Sequence, residues 1–361
     1  MNRAYNFSAG PSMMPLSALN QAAQEMNNFN GSGMSVMEMS HRSKVYIDIF
    51  DETVALLRDL MAIPDDYEVL LLQGGATGQF AAIPMNLSVN GTADYIDSGN
   101  FAAGAAKEAA KYINVNVVAS SKADNYRYIP EVDPAKLNPN ADYLYITTNN
   151  TIYGTRFDKL PETNVPLVAD MSSNILSEVY DVNKFGVIYA GAQKNIGPAG
   201  VVVVIVKKSL LGNAMKITPK VLNWQLMAEA SSMVNTPTTY SIYMAGLCMK
   251  WLKEQGGVAA IEKVNIEKAN MLYNFLDESR LFRPVADKQF RSRMNVTFNT
   301  GDADKDAAFV KAAANAGLLN LKGHRLTGGM RASIYNAMPV EGVKALVDFM
   351  KQFEAEDARN V

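Results

Sequence analysis

Seven short apolar runs, spread through the middle of this 361-residue chain and separated by helical stretches, restrict its fold more than any other feature. They are Glu68–Leu72, Asp94–Asp97, Val115–Ala119, Tyr143–Thr147, Leu167–Asp170, Val187–Ala190 and Val201–Val206. Runs this short and this apolar read as strands buried on both faces, with helices such as Gln79–Leu87 and Phe101–Tyr112 between them. The alternation predicts an α/β fold built on a mostly parallel seven-stranded sheet covered by helices. Ligands of such sheets sit at the C-terminal edge of the strands. Past Gly256-Gly257 the pattern changes: Met294–Phe298 and Met330–Tyr335 read as antiparallel strands, with helices near Lys305–Ala316 and Val340–Glu356. The expected division is a large domain over residues 16–256 and a smaller α+β domain over 257–361, with an N-terminal arm over 1–15.

Composition narrows the class. With 48% hydrophobic and 19% charged residues the chain has ample material for a core, and its net charge of -2 offers no electrostatic footprint for nucleic acid or an anionic membrane. No apolar stretch approaches the roughly 18 residues of a membrane span. The first residues lack the apolar core of a signal peptide, and a single cysteine fits a reducing cytoplasm. Cys248 shares a helical apolar face with Met244, Leu247 and Trp251, which predicts a core position. No metal site is expected.

The chemistry gathers at strand ends. Lys194 lies in a turn, Gly191-Ala192-Gln193-Lys194, between two apolar strands, and its small neighbours cannot cover it. A lysine buried there has a depressed pKa and suits Schiff-base chemistry, whereas a strand-end lysine pointing at water is the plainer reading. Asp170 closes an apolar run that would bury a carboxylate without a partner; it either faces a cationic heterocycle nitrogen or caps the turn through Ser172 and Ser173. Gly74 and Gly75 form a strand-turn-helix junction whose bare amides suit a phosphate, without the lysine of a nucleotide loop. Phe101 at a helix start offers a stacking surface or a core ring. Thr151 offers a hydroxyl beyond another strand or is a turn residue. Both histidines of the chain precede an arginine, in His41-Arg42 and His324-Arg325, and Arg331 follows soon after. Such donors suit carboxylates and phosphates, though a solvated cationic face has the same composition.

Taken together, these residues resemble the class-V aminotransferases, pyridoxal-phosphate enzymes of fold type I, and in particular the branch acting on phosphorylated substrates. The resemblance runs over essentially the whole chain. It rests on Asn6-Phe-Ser-Ala-Gly-Pro11, Ser40-His-Arg-Ser43, Gln73-Gly-Gly-Ala76, Val168-Ala-Asp-Met-Ser-Ser173, Tyr189-Ala-Gly-Ala-Gln-Lys-Asn-Ile-Gly-Pro198, Asn235-Thr-Pro237, Lys322-Gly-His-Arg325 and Gly329-Met-Arg-Ala-Ser-Ile-Tyr-Asn336. It implies Lys194 as the Schiff-base lysine, Asp170 as partner of the ring nitrogen, Phe101 stacked on the ring and Thr151 on its hydroxyl. Ala76, Thr77 and Gln193 would hold the cofactor phosphate, with Asn235 and Thr236 reaching in from a second subunit. Arg331 would take the substrate α-carboxylate, while His41 and Arg42 of the partner, with His324 and Arg325, would surround a distal carboxylate or phosphate.

The implied assembly is a homodimer with shared sites. The implied reaction is reversible amino transfer from L-glutamate to 3-phosphohydroxypyruvate in serine biosynthesis, with phosphohydroxythreonine of vitamin B6 synthesis as a further candidate substrate. The alternative is a serine–pyruvate or alanine–glyoxylate type aminotransferase on the same scaffold. Two positions depart from the usual pattern. Many relatives have Trp at the place of Phe101, and some have Arg at that of Thr77.

Overall fold

The computed structural model describes residues 3–359, so the ends of the expected arm and small domain lie outside the described residues. At its centre is a seven-stranded sheet. Across it run, in spatial order, Tyr67–Gln73, Val201–Lys207, Val187–Gly191, Leu167–Asp170, Leu144–Thr147, Thr92–Asp97 and Asn114–Ser120. All are parallel except Val201–Lys207, which pairs antiparallel with both neighbours. All seven expected runs are strands of this one sheet.

Strand alternation sorts the side chains into two cores. Leu167, Ala169, Ile188, Ala190, Val201 and Val203 face one way, against the helices Lys44–Met61 and Thr239–Glu254. Val168, Val187, Tyr189, Val202 and Val204 face the other, against Ala76–Leu87 and Asn100–Ala109. Both helices on this second face begin at the C-terminal edge of the sheet. Asp170 shares parity with Val168, so its carboxylate emerges on the face where they start.

A third core gathers Phe7 and Met13 of the N-terminal segment with Leu272, Phe298, Phe309, Ile334 and Leu346. It is built around a three-stranded antiparallel sheet, Arg283–Pro284, Asn295–Asn299 and Met330–Ser333, and the helices Ala303–Asn315 and Val340–Asp357. The helix Gly257–Glu278 serves two cores: Val258 and Ile261 pack in the first, Ala269 to Leu276 in the third. No helix among the described residues is long and apolar enough to cross a membrane.

Ile188 is fully buried mid-strand. Ile188→Ala is expected to lower the unfolding free energy of the cofactor-free protein by about 2–5 kcal/mol, because the cavity cannot collapse between rigid strands. Equilibrium urea unfolding measures it, and a loss below about 1 kcal/mol would contradict such rigid packing.

Candidate active site

The sheet's C-terminal edge, the starts of Ala76–Leu87 and Asn100–Ala109, and Arg331 of the small sheet enclose a cleft of about 270 Å³. Ala76, Thr77, Phe101, Thr151, Asp170, Gln193, Lys194, His324 and Arg331 all line it.

Lys194 follows the strand Val187–Gly191 in a turn closed by the Gly197 N–H donating to the Ala192 carbonyl at 2.8 Å. The N-terminal segment pins this turn. The Ser12 N–H donates to the Gln193 carbonyl at 2.9 Å, and the Ser12 hydroxyl donates to the carbonyl of Lys194. Gly10 packs beside it, at a φ of +145° that disfavours any other residue. Lys194 Nζ donates to Thr151 Oγ1 at 2.8 Å and lies 5.6 Å from the Phe101 ring centroid. Burial pulls its pKa from 10.5 down to about 8; nearby Asp170 opposes this and Arg331 reinforces it. At pH 7 about a tenth of such an amine is unprotonated, several hundredfold more than for an ordinary lysine.

Asp170 is 4% exposed at the end of its strand, with Thr147 and Tyr189 opposite it in register. One oxygen accepts from the Ser172 N–H at 2.9 Å, so the capping contact exists. Among the described residues no lysine, arginine or histidine pairs with it. Beyond that cap, its electrostatic partner is the nearby Lys194, with which it forms no ion pair.

Phe101 is not core: the residue is 36% exposed and forms a cleft wall. Gly75 starts the helix Ala76–Leu87, and no side chain caps it. Gly74, at φ +96°, turns the chain into this bare N-terminus. Arg331 Nη1 donates to the Thr151 carbonyl at 3.1 Å, and burial lowers its pKa. His324 reaches the cleft, its imidazole pKa lowered by burial and by the cations Arg331 and Arg325. Arg325 itself is exposed and outside the cleft.

Within one chain, four expected residues stay away. His41, Arg42, Asn235 and Thr236 do not line the cleft, and the last three are exposed. The Thr236 carbonyl accepts from the Gln73 amide, which holds that loop beside the strand end. Cys248 is buried, its thiol pushed up to about 12 by desolvation, so it is core as expected.

Three features were not legible beforehand. Thr147 Oγ1 faces the cleft, buried and with no hydrogen-bond partner among the described residues. Ala9 and Gly10 of the N-terminal motif form part of the cleft wall. A second buried amine, Lys268, lies in the helix Gly257–Glu278. Its only signal was its place on the apolar stripe of Ile261, Asn265 and Leu272. Burial pulls Lys268 down to about 7, yet its Nζ donates to three carbonyls, an arrangement that suits the ammonium.

The cleft fits pyridoxal phosphate. It offers a reactive amine, a buried carboxylate lacking an ion pair, an open aromatic ring, a bare helix N-terminus and an orphaned hydroxyl.

The model of the class-V aminotransferases matches residues 4–346. The chain belongs to the class-V aminotransferase family. Phosphoserine aminotransferase of Bacillus cereus is 52% identical over 359 residues, spanning 99% of this chain and 100% of the relative. That of Herminiimonas arsenicoxydans is 53% identical, spanning 98% and 99%. The structure of phosphoserine aminotransferase from Bacillus circulans subsp. alkalophilus superposes with a TM-score of 0.95 at 44% identity, covering 98% of this chain and 99% of that one. Another, reported for radiation damage of the Schiff base in phosphoserine aminotransferase, gives 0.95 at 46% identity, covering 99% and 100%. A Nostoc alanine–glyoxylate aminotransferase shares the fold, with a TM-score of 0.73 at 16% identity over 98% of this chain and 96% of that one.

Because the folded pKa of Lys194 lies below its unfolded value, the unfolded chain binds more protons between about pH 8 and 10.5. The lysine therefore destabilises this aminotransferase fully below pH 8, and the penalty fades as pH rises to 10.5. In the cofactor-free state, Lys194→Met is expected to be more stable than wild type at pH 7 by about 1–3 kcal/mol. Urea titrations should show that gap closing by pH 10; a gap constant with pH would contradict the shift.

Proposed function

We propose that this chain catalyses reversible amino transfer between L-glutamate and 3-phosphohydroxypyruvate, forming 2-oxoglutarate and O-phospho-L-serine. The observation that carries the reading is the Lys194 amine, held at Thr151 and beside Phe101, in one cleft with the unpaired Asp170 carboxylate. The full-length similarity to phosphoserine aminotransferases supports the substrate choice. The reaction belongs to serine biosynthesis, an assignment that fits a cytoplasmic enzyme.

Pyridoxal phosphate, when bound, supplies the electron sink that accepts the pair from the bond broken at the substrate's Cα. Lys194 is the residue that would hold the cofactor through its amine, and the same amine, when free, would be the group placed to hold and move the proton of the substrate's Cα. Asp170, which forms no ion pair with a protein cation, would keep the ring nitrogen protonated. Phe101 would stack on the ring, Thr151 would donate to the ring hydroxyl, and Ala76, Thr77 and Gln193 would hold the phosphate at the helix N-terminus. Arg331 takes the α-carboxylate bidentately. His324 and Arg325 meet the distal anion. Glutamate and phosphoserine both carry one, so a single cluster serves both half-reactions. Serine–pyruvate and alanine–glyoxylate chemistry has no use for that second cluster.

A second copy of the chain completes the site. His41, Arg42, Asn235 and Thr236 lie outside their own cleft. Met34, Met37 and Val45 are exposed around His41-Arg42, an apolar setting that suits a covered surface. In a two-fold homodimer each chain's residues would reach the other's cofactor.

The direct test compares purified wild type, Lys194→Ala and Arg325→Ala with glutamate and a panel of 2-oxo acids. Lys194→Ala is expected to lose several orders of magnitude in rate and borohydride fixation of the cofactor. Arg325→Ala should cost tenfold to a hundredfold with 3-phosphohydroxypyruvate and far less with pyruvate. Equal losses on both acids would remove the distal-anion role, and fixation at another lysine would remove Lys194.

Shared sites have their own test. Lys194→Ala and Arg42→Ala chains, each inactive alone, are unfolded together and refolded as a mixture. About half the dimers are then mixed, each with one intact site, so about a quarter of wild-type activity should return. A mixture containing such dimers yet no more active than its parents would exclude shared sites.

A further inference from the structure

Lys268 is fully buried, and its Nζ donates to the carbonyls of Ile334, Tyr335 and Met338 at 3.0, 2.8 and 3.0 Å. Three acceptors use all three protons of an ammonium and leave none for chemistry. One turn earlier on the same helix, Asn265 Nδ2 donates to Asn336 Oδ1 at 2.9 Å. Both side chains thus grip one segment, Ile334–Met338, that directly continues the strand carrying Arg331.

The far side of that segment grips the catalytic turn. The Asn336 N–H donates to Asn195 Oδ1 at 3.0 Å, one residue past Lys194. The Tyr335 hydroxyl donates to the Ala9 carbonyl at 2.7 Å, on the cleft wall. Lys268 is therefore two links from Lys194, and the residues it holds lie three to seven positions along the chain from Arg331, without Lys268 touching the cleft. A clamp needed for stability alone could grip any segment of the third core. This one grips a stretch that joins Arg331 to the turn of Lys194.

We propose that Lys268 is a positioning residue for amino transfer: by clamping Ile334–Met338 it sets Arg331 and, through Asn336 and Asn195, the Lys194 turn in fixed relation to each other. The inference rests on the roles proposed above for Lys194 and Arg331. Losing the ammonium leaves three buried carbonyls unsatisfied, so stability falls whichever role is true. Readouts other than stability separate the two.

Lys268→Met keeps length and removes the donors; Asn195→Ala keeps the clamp and cuts its link to the Lys194 turn. Each holoenzyme is studied beside wild type, well below its melting temperature. Lys268→Met is expected to raise the KM for glutamate about tenfold, the size of one charge-assisted contact, and to move the pH midpoint of the lysine-bound cofactor's visible absorbance. In the cofactor-free protein, exchange of the Ile334 and Asn336 amides should accelerate while that of Val203 stays at the wild-type rate. Asn195→Ala should move the same pH midpoint, and the double variant should move it no further than Lys268→Met alone.

A Lys268→Met enzyme with wild-type KM, pH midpoint and exchange overturns the proposal. So does an Asn195→Ala effect that simply adds. If Lys268→Met does not fold, Asn195→Ala decides alone: a shifted midpoint supports the link, and an unshifted one overturns it. A wild-type protein whose Lys194 is not fixed by borohydride overturns the functional reading itself, an outcome distinct from a wild type so fixed and an inert Lys268→Met.

Discussion

Everything in the cleft depends on how the desolvation of one amine is left uncompensated. Lys194 has a single hydroxyl partner, a carboxylate close enough to attract it and an arginine close enough to repel it. Burial dominates and lowers its pKa to about 8. Lys268 shows the other solution to the same physical problem. Its three carbonyl acceptors satisfy the ammonium and make it a fastener. Burial lowers the pKa of both amines; what separates them is that Lys194 borders the open cleft while three carbonyls hold Lys268 away from it.

The sheet supplies the rigidity this balance needs. Thr147, Asp170 and Tyr189 are register neighbours, so their spacing is set by strand pairing rather than by loop conformation. Beneath them the Tyr145 and Tyr189 hydroxyls lie 2.6 Å apart in the core, which lets two buried polar groups satisfy each other. The antiparallel strand Val201–Lys207 locks both flanks of the catalytic turn: the turn enters from Gly191 and leaves into Val201, and those strands pair along their length. Arg331, by contrast, comes from a different sheet. Its placement beside Lys194 is shared between its own bond to the Thr151 carbonyl and the contacts of Ile334–Met338.

Substrate choice is not a property of the scaffold. An alanine–glyoxylate enzyme shares the fold at 16% identity, so the fold alone admits several amino acceptors. On the proposed reading, the choice falls to the cationic side chains around the cleft mouth: His324 inside it, Arg325 beside it, and His41-Arg42 on a surface that suits a second copy. On the proposed roles, Phe101 and Thr77 would offer fewer donors at the ring and phosphate than Trp and Arg, and retention would lean on stacking, backbone amides and the covalent link.

The sequence by itself determined the sheet, because a strand buried on both faces must be apolar at every position, and seven such runs leave few other folds. It also marked Lys194 and Asp170, since charged residues closing apolar runs are conspicuous against that background. The resemblance carried over Phe101, Thr151 and Arg331 by motif, where the residues alone left bland readings open. Only the tertiary structure decided which were bland. Phe101 is an exposed wall because its helix begins at the strand edge, and the Asp170 cap is real but leaves the charge without an ion pair. Thr147 and Lys268 were hidden for opposite reasons. A threonine ending a β-strand is unremarkable until its hydroxyl is seen to lack a partner. A lysine in a charged helix looks solvated until three carbonyls, 66 to 70 residues away in sequence, close around it. Local pattern reports what a segment prefers; partners brought together by folding decide what each polar group can do.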